Sequence, residues 1–219
     1  MFQLIVNFKT YKESLGENAL KLAKAIFELE EVAKEKNVRI VACPQILDLR
    51  EVVKENLSVF SQHMDNYSQG AHTGFLLGEG LVDAGVKGTL INHSEHRVSI
   101  ELIEEEIKKA QELGLEICVC AKDDEEVEIF SKMNPNFIAV EPPELIGGDI
   151  SISTAKPELI TKSVKSAGLV PLLIGAGVKN SQDVKIGIEL GSKGILVASG
   201  VVKVENPKEA LLELLSGFK

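Results

Sequence analysis

Glu141 ends an apolar run, Phe137-Ile138-Ala139-Val140, and two prolines follow it. A carboxylate at the end of a buried strand can serve as a general base. Pro142 keeps Glu141 out of helical geometry, so the chain leaves the strand at a set angle. Pro142 and Pro143 stiffen the start of the next segment, and Gly147 and Gly148 loosen its end. That describes a lid hinged at both ends. A solvated glutamate before a proline turn gives the same short pattern, so Glu141 needs support from the rest of the chain.

Other polar residues close apolar runs in the same way. Asn7 and Lys9 follow Leu4-Ile5-Val6, His93 and Glu95 follow Thr89-Leu90-Ile91, and Ser199 follows Ile195-Leu196-Val197-Ala198. Lys9 is either a solvated side chain or a fixed positive charge for an anionic substrate. His93 is either a core histidine satisfied by backbone or a neutral imidazole that donates to a carbonyl oxygen. His93 and His96 have no third His or Cys at ligand spacing, so no metal is expected. Ser94 lacks the G-x-S-x-G context of a hydrolase nucleophile. Gly175-Ala176-Gly177 falls short of a dinucleotide fingerprint, because Asn180 stands where the last glycine belongs. A cradle of backbone N–H groups for a phosphate fits better, and Ala198-Ser199-Gly200 offers a second turn of that kind.

These residues need elements to hold them. Short apolar strands are expected at 4–8, 38–43, 57–63, 88–93, 115–120, 137–140, 171–174 and 194–198. Helical patterns alternate with them. Thr154 is expected to cap a helix running to Ala167, and Ser181 one running to Leu190. The helical pieces after the third to fifth strands look short. Alternating strands and helices imply a parallel α/β sheet. Eight such units in 219 residues fit a single (β/α)8 barrel, a TIM barrel, with one catalytic domain over 1–219. In such a barrel all the strand ends named above meet at one mouth, and loops after strands seven and eight form the recurrent phosphate site.

Composition narrows the partners. The net charge of −9 argues against a nucleic-acid groove or an anionic membrane surface. It leaves a small anionic substrate open, since local donors outweigh distant charge. No apolar run reaches the roughly 20 residues of a membrane-spanning helix. The first residues read as a strand rather than a signal peptide. Cys43, Cys118 and Cys120 lack any C-x-x-C, so a reduced, cytoplasmic protein is expected. Cys118 and Cys120 should share one face of a strand.

Asn7-Phe8-Lys9, Asn92-His93-Ser94-Glu95-His96-Arg97 and Val140-Glu141-Pro142 together resemble triosephosphate isomerase, in the family's order and over nearly the whole chain. Length and the Pro-Pro-Glu-Leu-Ile-Gly lid are similar to the short archaeal type. The resemblance implies a cofactor-free isomerase of glycolysis and gluconeogenesis that interconverts dihydroxyacetone phosphate and D-glyceraldehyde 3-phosphate through an enediolate. It implies Glu141 as base and His93 as neutral electrophile, the roles general to that family. It further implies Lys9 as the positive charge and Asn7 as substrate contact. Ile146, Gly147, Gly177, Ala198 and Ser199 would hold the phosphate, and Glu95 and Arg97 would support the site from behind. Gln62 and the loop 70–74 resemble the subunit contact of a homodimer or homotetramer. Long-chain members carry Trp where Glu144 stands, Ser near Gly177, and Gly-Gly near Ala198-Ser199; these departures touch side-chain contacts to phosphate, not backbone ones. A phosphosugar isomerase or synthase of amino-acid biosynthesis would share the glycines after strands seven and eight. It would not require His93, Glu95 and Glu141 together. A barrel that only senses a phosphorylated metabolite would need neither base nor electrophile.

Overall fold

Short apolar strands cannot bury both faces alone; paired in parallel and covered by helices, they can. In the computed structural model, which describes residues 1–148 and 151–218, the strands are β1 (Phe2–Asn7), β2 (Val38–Cys43), β3 (Ser58–Ser61), β4 (Gly88–Ile91), β5 (Glu116–Ala121), β6 (Phe137–Val140), β7 (Leu172–Ile174) and β8 (Gly194–Val197). Each pairs in parallel with the next, and β8 pairs back onto β1 to close the barrel. The fold is a single (β/α)8 barrel, as the alternation of strands and helices predicts.

Alternation along each strand separates two cores. Ile5, Val41, Phe60, Leu90, Leu173 and Leu196 fill the barrel interior together with Cys43, Cys118 and Cys120. All three thiols are free and buried. Leu4 and Val6, on either side of Ile5, pack outward with Ala19, Leu22, Ala23 and Ile26 of the helix Glu17–Phe27. At the N-terminal end of the barrel, Arg39 donates to both carboxylate oxygens of Glu116 at 2.5 and 2.8 Å, and to Gln3 Oε1 at 2.7 Å. Its guanidinium lies 5.7 Å from the Phe60 ring centre and 5.8 Å from that of Phe137. This plug satisfies the polar groups at the closed end and leaves the other end for chemistry.

Several boundaries differ from the expectation. β3 stops at Ser61, so Gln62 and His63 lie in the loop beyond it. Thr154 is not a cap: Ser151 caps a separate short helix, Ile152–Ala155, and Pro157 opens the next one, Pro157–Ala167. Proline has no N–H to continue the earlier helix, and it suits a first turn. Asn180, not Ser181, caps the helix Ser181–Glu189. An unforeseen helix, Glu30–Glu35, precedes β2. The helix after β4 is not short; Ile100–Glu112 has 13 residues.

That helix buries a carboxyl in its apolar stripe. Glu106 lies between Ile103 and Ala110, is fully buried, and neither of its oxygens has a hydrogen-bond partner among the described residues. Burial pushes its pKa up to about 8, with smaller contributions from Asp65 and Glu105. The loop from Asp65 to Glu79 is tied to the same helix, through Asn66 on Glu105 at 2.9 Å and Lys109 on Glu79 at 2.6 Å. An unfolded glutamate ionises near 4.5, whereas the folded one keeps its proton until about 8. Its contribution to stability is therefore fully present below pH 4.5 and is lost as pH rises through 8. Glu106→Gln should flatten that decline. Calorimetry should find the variant's Tm at pH 8.5 several degrees above the parent's, at roughly 2–4 °C per kcal/mol. At pH 4 the two should nearly coincide.

Candidate active site

The first strand delivers Asn7 and Lys9. Lys9 has φ +49, a left-handed conformation that costs energy in a residue with a Cβ and must be held by its surroundings. Asn7 Oδ1 accepts from the Lys9 N–H at 2.9 Å, and Gln62 Nε2 donates to the carbonyls of Lys9 at 3.0 Å and Cys43 at 3.1 Å. So fixed, Lys9 sends its ammonium to Glu95 Oε1 at 2.8 Å. Gln62, expected at a subunit contact, has its amide engaged within the chain.

Asn92, also left-handed at φ +59, turns the chain at the end of β4. Its side chain donates to Cys120 O at 2.9 Å and accepts from the Val98 N–H at 3.2 Å. The turn aims His93, which is 6% exposed, into the barrel mouth. His93 Nδ1 accepts from the Glu95 N–H at 3.2 Å. A nitrogen that accepts holds a lone pair, so the ring proton sits on Nε2 and the imidazole is neutral. Nε2 stands 3.6 Å from Glu141 Oε2.

Glu141 extends the ladder one residue beyond β6, donating its N–H to Ala121 O at 2.8 Å. Its side chain is buried, and Oε2 has no hydrogen-bond partner among the described residues. The carboxylate lies on the backbone of Gly175, where an added Cβ would come within 2.5 Å of Glu141 Cγ and 2.6 Å of Oε1. Behind it, the Cys120 thiol is held protonated by burial first and by the Glu141 charge second.

Asn7, Lys9, His93, Glu141, Ile146, Gly147, Gly177, Ala198 and Ser199 all line one cavity of about 40 Å³. Sequence reasoning named every one of them; it missed Tyr11 and Lys179, which line it too. It also missed the place of Gly175, grouped with Gly177 as a phosphate turn but found beneath the Glu141 carboxylate. Nothing in one sequence shows which glycine faces a side chain from another strand. Glu95 and Arg97 lie outside the cavity. Glu95 faces a neighbouring cleft of about 600 Å³. Arg97 pairs with Glu126 and lines a space of about 320 Å³ on the other side of Glu141, with Ser94 and Lys122.

Ile146, Gly147 and Gly148 of the lid line this cavity too. Pro143–Leu145 form one turn of 3₁₀ helix, and Leu145 packs on the core. Gly148 spends its N–H on Leu145 O at 3.1 Å, while Gly147 turns the chain at φ +71. Glu144, where the long-chain enzymes have Trp, pairs with Lys156 beyond the lid. Among the described residues, no group of three or more His, Cys, Asp or Glu is placed to hold a metal ion. A neutral donor facing a carboxylate with one oxygen left without a partner among the described residues, with a cation beside them, suits proton transfer next to a carbonyl.

Gly175→Ala tests the floor. The new methyl must displace the Glu141 carboxylate, and a shift near 1 Å costs about 10²-fold in rate. Catalytic turnover should fall by about that factor, mainly in kcat, with an unchanged circular dichroism spectrum. A folded variant with parental kcat would show that this contact does not set the carboxylate.

Comparison with known proteins agrees with the geometry. A sequence model described as triosephosphate isomerase matches residues 2–216. The chain is 47% identical over 218 residues to the triosephosphate isomerase of Methanobacterium bryantii, covering 97% of this chain and 95% of that one. It is 43% identical over 217 residues to that of Methanocaldococcus jannaschii, covering 97% and 98%. With that of Thermoplasma volcanium it shares 44% over 218 residues, covering 98% and 100%. With matches of this extent and the family's motifs gathered at one barrel mouth, the chain belongs to the triosephosphate isomerase family.

Proposed function

We propose that Glu141, His93 and Lys9 carry the reaction of this family, the interconversion of dihydroxyacetone phosphate and D-glyceraldehyde 3-phosphate, with no cofactor. Membership makes the chain an intramolecular aldose–ketose isomerase; what is proposed is which groups act. A Glu141 oxygen takes the proton from C1 of the ketose, and that electron pair becomes the C1–C2 double bond. The carbonyl oxygen gains the displaced charge and receives the hydrogen bond of His93 Nε2–H. The Lys9 ammonium stabilises the same charge. The C1 hydroxyl proton then passes by way of His93 to the C2 oxygen, which becomes a hydroxyl. The C1–O bond becomes the aldehyde carbonyl, and the C1–C2 double-bond electrons take back the proton from Glu141 at C2. One observation carries this reading: an imidazole donor and a carboxylate oxygen with no hydrogen-bond partner among the described residues stand 3.6 Å apart in one buried cavity.

The phosphate belongs at the other side of that cavity, against backbone N–H groups of Gly177, Ala198, Ser199 and Gly147, with Ile146 above. These are backbone donors, so the missing family Ser and Gly-Gly need not weaken the site. The lid residues Ile146 to Gly148 line the same cavity, so on this reading the lid moves aside for substrate exchange.

We also read the protein as one catalytic unit over 1–219 that associates with itself, as a homodimer or homotetramer, in the cytoplasm. Three buried free thiols fit a reducing compartment. No helix among the described residues is long and apolar enough to cross a membrane. The net charge of −9 fits a protein that does not bind nucleic acid. Self-association is supported by exposed apolar groups beside the site. Ile46 is 54% exposed and Leu47 83%, and the rings of Tyr67, His72 and Phe75 cluster on the loop that carries Thr73. The cleft of about 600 Å³ reaches from Ile46 and Phe75 to Lys9 and His93, so a loop seated there from a second copy would bear on the site.

Glu141→Gln should lower turnover by on the order of 10²–10⁴-fold, the range for loss of a general base. A coupled isomerisation assay read beside circular dichroism decides it. A folded variant that keeps near-parental turnover removes Glu141 as base. For the assembly, light scattering at dilute concentration should give a multiple of 23.8 kDa. A fully active monomer would end that proposal.

A further inference from the structure

Asp183 lies outside the catalytic cavity, on the first turn of the helix Ser181–Glu189, and is 7% exposed. A buried carboxylate requires partners, and this one finds them on two different loops. Oδ1 accepts from Ser151 Oγ at 2.6 Å. Oδ2 accepts from the backbone N–H of Lys179 at 3.0 Å. Its own N–H is capped by Asn180 Oδ1 at 2.9 Å, and its carbonyl accepts from Ser153 Oγ at 2.8 Å. Ser151 and Ser153, both buried, stand on the stretch where the chain re-enters the body after the lid. Lys179 stands two residues after Gly177, on the proposed phosphate turn. A further bond joins the same segments, from the Ile152 N–H to Ala176 O at 3.1 Å.

We propose that Asp183 is a positioning residue that fixes the lid's C-terminal anchor to the phosphate turn, so that the two sides of the phosphate site are set by one carboxylate. Three features support it. The turn is conformationally costly at Ala176, a residue with a Cβ held at φ +67 beside Gly177 at φ +73, so it gains from an external restraint. Just beyond that pair, the Lys179 N–H is tied to Asp183 Oδ2. On the lid side, Asp183 binds the segment containing Ser151 and Ser153 through both its side chain and its carbonyl. Capping accounts for the Asn180 bond and, as its reciprocal half, for the bond to the Lys179 N–H. It does not account for Oδ1 on Ser151 or the carbonyl on Ser153.

The proposal rests on reading Gly177 and Ser199 as the phosphate site, and the test separates the two. Parent and variants are assayed on D-glyceraldehyde 3-phosphate and on unphosphorylated D-glyceraldehyde, with inorganic phosphate as competitive inhibitor. Asp183→Ala removes both acceptors. It should lower kcat/KM on the phosphorylated substrate about 10- to 100-fold, the range for losing one or two hydrogen bonds that orient a bound group. The rate on glyceraldehyde should change less than about threefold, and inhibition by inorganic phosphate should weaken about tenfold. Asp183→Asn should rescue most of the loss. Its amide oxygen can accept from Lys179, and its NH₂ can donate to Ser151 Oγ, whose hydroxyl is free to rotate. Ser151→Ala cuts only the lid side, so it should lower kcat and leave phosphate inhibition near the parent's. Combined with Asp183→Ala, it should add little, because the two share one contact.

Equal losses on both substrates, or a fully additive double variant, would overturn the proposal and leave Asp183 a stabilising contact only. Parental kinetics in a folded Asp183→Ala would do the same. Should Asp183→Ala fail to fold, Ser151→Ala and Asp183→Asn still decide: the first must split kcat from phosphate inhibition and the second must preserve both. A parent that neither prefers the phosphorylated substrate nor responds to inorganic phosphate would instead remove the phosphate site itself.

Discussion

The hydrogen bonds that join β1 to β8, in register from Gln3 and Gly194 to Val6 and Val197, turn eight short strands into a ring. They require the two backbones to come very close. An added Cβ at Gly194 would stand 2.0 Å from Gln3 O, so only glycine fits the seam. Once the ring closes, loops that are far apart in sequence share one mouth. Lys9, His93, Glu141, Gly177 and Ser199 then surround one small space. Loss of the seam would leave each strand end with its own patch of solvent and no common substrate.

Within that space the arrangement works by controlling where protons sit. Glu95 uses its two ends differently. Its backbone N–H occupies Nδ1 of His93, and its carboxylate engages the Lys9 ammonium. The first contact leaves the His93 ring proton to Nε2, facing Glu141; the second fixes the Lys9 ammonium at the mouth. Glu141 is left as the unpaired acceptor, packed on Gly175 and backed by thiols that burial keeps protonated. Preorganised donors in a water-poor site are worth more than the same groups in water. The unfavourable backbone conformations of Lys9, Asn92 and Ala176 fall at the ends of β1, β4 and β7. Strain gathered at a site is sustained by the rigid barrel around it.

The lid and the phosphate turn belong to the same structural unit. Pro142 and Pro143 fix the angle at which the lid leaves β6, and Ser151 and Ile152 return the chain to the body through Asp183 and Ala176. The described parts of the lid thus adjoin two firm attachments, one beside Glu141 and one beside the turn at Gly177. On the proposed reading, energy from binding a non-reacting phosphate could place the Glu141 carboxylate.

Local chemistry made much of this legible in the sequence. Strand and helix periods followed from apolar spacing, and the polar residues closing each run marked the mouth once a barrel was inferred. Lys9, His93 and Glu141 could be named because their types and their positions after apolar strands are properties of single segments. Helix starts were misplaced where two candidate caps were adjacent, as with Asn180 and Ser181, or where Pro157 broke a helical pattern that looked continuous. The tertiary structure alone decided which glycine supports Glu141, which nitrogen of His93 carries the proton, and that Asp183 joins two loops. It also decided that Glu106 is buried with no hydrogen-bond partner among the described residues, although its segment reads as an ordinary charged helix. Each of these depends on atoms from distant segments meeting at specific distances, and sequence spacing encodes periods along the chain, not contacts across it.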